Sequence, residues 1–172
     1  MRRRGGGEGR CVGGGVGETD ADPAPSKELV KWVGGMCEAT TALKGVRKDS
    51  AKDLKEIRHP DKEAGESADF LAISYISATS AEVDAAELDL EQLGRSGVPA
   101  ADGLLVAWRK KLKSVGPELD DISPGDALDD AEGTAGKFDR LIQTLTPPEP
   151  DLPALAKKDP QLAAARERAK KS

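Results

Sequence analysis

Aromatic residues make up only 3% of this chain, so its core has to come from Leu, Ile, Val and Ala rather than from rings. A single histidine, His59, excludes metal sites that need two or more imidazoles. Two cysteines, Cys11 and Cys37, can pair at most once, which is no disulfide framework. The longest apolar run, residues 104–108, is far short of the ~20 residues that span a bilayer, so no transmembrane segment is expected. The opening Met1-Arg2-Arg3-Arg4 runs into glycines rather than an apolar segment. As written, the chain is expected in the cytoplasm; a signal segment upstream would place it in the cell envelope or outside the cell. The net charge is -5, so the basic field of a nucleic-acid-binding protein is lacking, and no nucleic-acid partner is expected. Basic clusters at residues 2–4, 109–113 and 166–171 read as solvated faces and tails.

What is present is an apolar fraction of 37% beside 33% charge, enough for one lean domain. Residues 1–25 are rich in glycine and charge and close on Asp22-Pro23-Ala24-Pro25; they are expected to be a disordered tail. Residues 26–172 are expected to form a single helical-bundle domain. Ser26 is a good N-cap, and Leu29, Trp32, Val33, Met36, Cys37, Thr40, Leu43 and Val46 follow at spacings of three and four. That stripe predicts a helix of about five turns, with a separate short helix over residues 49–57 before Pro60. Ala72, Ile76, Thr79, Val83, Ala86, Leu90 and Leu93 make an unbroken seam closed by Gly94. Pro99 opens another helix, with Leu105, Trp108, Leu112 and Val115 on one face, ending at Gly116-Pro117. Ser123-Pro124 starts a fourth, with Leu128, Ala131, Ala135, Phe138, Ile142 and Leu145. Thr146-Pro147-Pro148-Glu149-Pro150 breaks it, and after an extended stretch Asp159-Pro160 begins a short terminal helix. No two-residue alternation persists between turn residues, so no strand is expected. The fold class is all-α, an up-and-down bundle of about four longer helices plus short ones.

Catalytic chemistry has little to build on. No P-loop, dinucleotide fingerprint or nucleophile elbow can be written. A calcium loop around Gly125 would need ligands at Asp120, Ile122, Pro124 and Ala131, of which one is a carboxylate. No catalytic residue, metal or cofactor is therefore assigned. Cys37 falls on the apolar stripe of the first helix and reads as a buried structural thiol rather than a nucleophile. Glu82, Asp84, Glu87, Asp89 and Glu91 occupy the outer face of the seam helix, where charge is ordinary.

One motif stands out. His59-Pro60-Asp61-Lys62, between two predicted helices and followed by Phe70 and Ile73, resembles the J-domain of co-chaperones, where that turn engages an Hsp70 ATPase. The resemblance implies that His59, Pro60 and Asp61 contact a partner. J-domains carry a long basic helix directly before the turn, and here residues 49–57 are what the periodicity offers. A longer likeness runs over residues 29–172. Trp32-Val33-Gly34-Gly35-Met36-Cys37, Ser96-Gly97-Val98-Pro99 and the end from Pro150 through Asp159-Pro160-Gln161-Leu162 are similar to small secreted or lipid-anchored helical proteins of high-GC bacteria. A chain without a single Asn agrees with a GC-rich genome. Those proteins have no activity to carry over. They close on a cysteine able to pair with the one on the first helix; Ser172 stands there in this chain, which implies a free Cys37 with the C-terminus close by. The chain is thus expected to be a non-enzymatic accessory or envelope-associated protein that binds a protein or a small ligand. A divergent Hsp70 co-chaperone and an enzyme with an unrecognised site are the alternatives.

Overall fold

The structure, a computed structural model, describes residues 24–171. The expectation of disorder over residues 1–25 lies outside the described residues for 1–23, as do Cys11 and Ser172. Pro25 is buried, so packing begins one residue earlier than Ser26.

Six α-helices follow in order: α1 (Lys27–Arg58), α2 (Ala68–Gln92), α3 (Pro99–Asp120), α4 (Ala131–Thr144), α5 (Leu152–Ala156) and α6 (Pro160–Ala169), with a 3-10 turn at Pro124–Leu128. Among the described residues there is no strand, and the fold is all-α. α1 is the spine, packed by α2, α4 and α6. Trp32, near its start, donates its indole N–H to Gly94 O just beyond the end of α2 (3.0 Å), so the two helices run antiparallel. Gln143 of α4 bonds Ser50 (2.8 Å), and Ala169 of α6 lies beside Gly34. A Cβ built on Gly34 would lie 4.0 Å from that of Ala169, so small side chains here let two backbones approach closely.

The helix starts follow capping chemistry. Ser26 accepts from Leu29 N (3.1 Å), Asp151 from Ala154 N (2.8 Å), and Asp159 from Gln161 N (2.9 Å) and Leu162 N (3.0 Å). The seam of α2 is buried from Ala72 through Leu90, and Leu93 is half-buried at its end.

Several boundaries differ from the sequence expectation. α1 does not stop near Val46 but continues through residues 49–57. Nothing there breaks a helix: no proline intervenes, and Ser50 back-bonds Arg47 O (3.0 Å), satisfying its hydroxyl without leaving the helix. Ile57 then returns to the core. α3 runs through Pro117 to Asp120. A mid-helix proline removes a backbone donor and costs about 3 kcal/mol; burial of Leu119 and Ile122 just after it opposes that cost. The fourth helix is divided. Ser123 caps only the 3-10 turn, in a capping box with Asp126, and α4 restarts at Asp130, whose carboxylate accepts from Gly133 N (2.9 Å). The break exposes Leu128 and buries Ala127 in its place. α5 lies inside what the prolines suggested was extended chain. Gly94 does not close α2 in a left-handed conformation; among the described glycines only Gly65 and Gly97 have positive φ.

Arginine supplies the missing stop. Arg109 donates from Nε to Leu90 O (3.0 Å) and from one terminal nitrogen to Leu90 O (2.7 Å), Glu91 O (2.9 Å) and Leu93 O (2.7 Å). These are carbonyls that the end of a helix leaves without partners. Arg109→Ala is expected to lose about 1.5–3 kcal/mol of unfolding free energy, the range for hydrogen bonds to a charged group. Arg109→Lys should recover little, since a point charge cannot span three carbonyls. Urea unfolding of both variants checks this; a loss below about 0.5 kcal/mol in Arg109→Ala would show the contacts to be incidental.

Candidate functional site

The two regions singled out by sequence fall at different places on α1. His59-Pro60-Asp61 forms the tip of the α1–α2 hairpin, and Cys37 lies far along the same helix.

The tip is ordered by its own backbone. His59 N–H donates back to Lys55 O (3.0 Å) and Glu56 O (3.2 Å), ending α1. The Asp61 carboxylate accepts from Glu63 N (3.0 Å) and Ala64 N (3.2 Å), and Glu66 accepts from Asp61 N (3.2 Å). Gly65, at φ 78°, provides the left-handed residue that turns the chain toward α2. These bonds leave the His59 imidazole out of the turn's network, and His59 and Asp61 are exposed while Pro60 is half-buried. Because α1 is continuous, a long helix does precede the turn. Lys48, Lys52, Lys55 and Arg58 are exposed along it and lie within about one third of the helix circumference. Lys52 reaches Glu56 at 3.5 Å, an exposed pair worth little. Phe70, just inside α2, is 64% exposed, a large apolar side chain near the tip.

Cys37 is a free thiol at the edge of the α1 stripe, half-buried rather than buried. Burial raises its pKa, an effect partly offset by Arg166 and Lys170 of α6. Less thiolate than an ordinary cysteine means a weaker nucleophile. Alkylation of Cys37 by iodoacetamide at neutral pH is expected to run several-fold slower than in urea-unfolded chain, at about the rate its thiolate fraction allows. Equal rates in the two states, read by peptide mass spectrometry, would contradict the burial.

Cys37 also opens onto a cleft of about 350 Å³ between α1, α3 and the residues leading into α5 and α6. Its floor is apolar, from Leu104, Trp108 and Leu152, all 5% exposed or less. Lys44, Arg47 and Arg166 line it beside Thr40 and Thr41. Sequence periodicity did not signal this cleft, because its residues come from five segments and belong to no shared motif.

A second groove, between α1 and α2, is lined by Asp49, Asp53, Glu56 and Glu82. Desolvation, then Glu56, raises the Asp53 pKa. Among the described residues no group of three or more His, Cys, Asp or Glu side chains is placed to hold a metal ion. No described helix is long and apolar enough to cross a membrane. In comparisons with family models, curated proteins and solved structures, nothing matches this chain.

Proposed function

We propose that this chain is a non-enzymatic helical-bundle protein, accessory or envelope-associated, that works by binding a protein partner through the tip of the α1–α2 hairpin. The carrying observation is the exposed His59 on an internally bonded turn, at the end of an exposed row of four cations. A preorganised turn loses little freedom on binding. The row from Lys48 to Arg58 favours a partner surface rich in carboxylates, and attraction of that kind acts mainly on the encounter rate. Binding should therefore weaken as salt rises.

Site-specific photocrosslinking tests this reading. A photoreactive residue at Lys62, beside the turn, should capture one protein partner in the cells that make this chain. The same residue at Glu28, at the opposite end of α1, should not. Equal capture from both positions, or none from Lys62, removes the tip from the account.

A second reading, a divergent Hsp70 co-chaperone, is favoured by one specific observation: the His-Pro-Asp turn follows a long helix with an exposed basic face. It is tested by ATP turnover of a purified Hsp70 with and without the chain. Stimulation that disappears in His59→Gln would support it; unchanged turnover would discard it and leave binding through the tip in place.

A further inference from the structure

We infer that the cleft beside Cys37 is a binding site for a small amphipathic carboxylate, an acid with an apolar body of medium length. This inference is independent of the hairpin tip, which lies at the far end of α1.

Charge is the first ground. Lys44, Arg47 and Arg166 face one carboxylate, Asp151, so three positive groups less one negative leave two positive charges in a chain whose net charge is -5. Asp151 is already engaged, accepting from Ala154 N at 2.8 Å. The ion pairs among the described residues, Lys52–Glu56 and Lys170–Glu167, involve none of the three cations.

The second ground is the Arg47 side chain, which lines the cleft and whose buried Nε has no partner in the protein. Buried polar groups are nearly always bonded, and one left unmet is destabilising, more so when charged. A guanidinium matches a carboxylate in geometry and charge.

The third ground is the floor. Leu104, Trp108 and Leu152 offer apolar surface at the bottom of a space whose volume, about 350 Å³, falls within the range of small-molecule pockets. An inorganic anion would leave that floor uncovered. A neutral apolar ligand would leave the surplus positive charge of Lys44, Arg47 and Arg166 without a counterpart. A carboxylate with an aliphatic body answers both.

Decanoate is the probe, with decylammonium as its charge-reversed counterpart, titrated into the full chain. Two local signals report occupancy: the Trp108 indole N–H resonance, and the rate at which N-ethylmaleimide alkylates Cys37. The Trp32 indole, bonded to Gly94 O elsewhere in the bundle, serves as the internal control. Decanoate should shift Trp108 saturably and slow the alkylation of Cys37, leaving Trp32 unmoved, while decylammonium does neither. Lys44→Glu with Arg166→Glu should weaken decanoate at least about tenfold, and Lys44→Arg with Arg166→Lys should retain it. If the charge-reversed chain does not fold by circular dichroism, Lys44→Gln at the exposed rim should still weaken decanoate, by about threefold. The inference is overturned if decylammonium binds as well as decanoate, if the folded charge variants bind decanoate unchanged, or if decanoate moves neither signal below its micelle concentration.

Discussion

Phe138→Ala should lower the unfolding free energy by about 3–5 kcal/mol, the range for removing a buried aromatic side chain. The ring is fully buried, and it meets Tyr75 edge to face with centroids 5.7 Å apart and planes at 86°. That arrangement adds about 0.5–1.5 kcal/mol beyond area burial. Phe138→Leu should recover part of the loss by filling volume without the edge contact. Urea unfolding at constant m-value reads the difference, and a loss under about 1 kcal/mol would place Phe138 outside the packed core.

Ile76→Ala and Leu90→Ala should each remove about 2–5 kcal/mol. Both side chains are 0% exposed on the seam that α2 turns toward α1 and α4. Fourteen residues of helix separate them by about 21 Å, so the two losses should add. Their sum approaches the whole stability of an ordinary domain, about 5–15 kcal/mol. The double variant is therefore expected to be largely unfolded at room temperature, with its amide signals collapsed into the random-coil region. A folded double variant would mean the seam contributes little.

The seam of α2 was legible because a three–four repeat of Ala, Ile, Val and Leu admits one periodicity and no strand. Ser26, Asp159 and Pro99 were legible as helix starts for an equally local reason: caps act within three residues of themselves. What was not legible is tertiary. Nothing local says that Gln143 of another helix bonds the Ser50 hydroxyl. Nothing local says that Arg109 spends its guanidinium on the end of α2 rather than on water. Leu128 fits the apolar repeat of the fourth helix, yet Asp129-Asp130 favours a cap over continuation, and the repeat loses. The hairpin tip was visible as a tripeptide; its exposure and the long basic helix behind it were not, because both depend on α1 being continuous. The cleft was invisible for a similar reason: Cys37, Arg47, Trp108 and Arg166 line one space only after three helices, α1, α3 and α6, have packed.

One sample of His59→Gln, carrying the photoreactive residue at Lys62, gives the most direct test of the hairpin tip as a binding surface. Two quantities are read from it: the yield of partner crosslink, and the unfolding free energy in urea. The His59 side chain is exposed and outside the turn's hydrogen bonds, so stability should stay within about 0.5 kcal/mol of the parent chain. The crosslink yield should fall at least about tenfold, as loss of a central contact requires. An undiminished crosslink at unchanged stability would contradict the account, since His59 would then be an ordinary surface residue at the end of a helix.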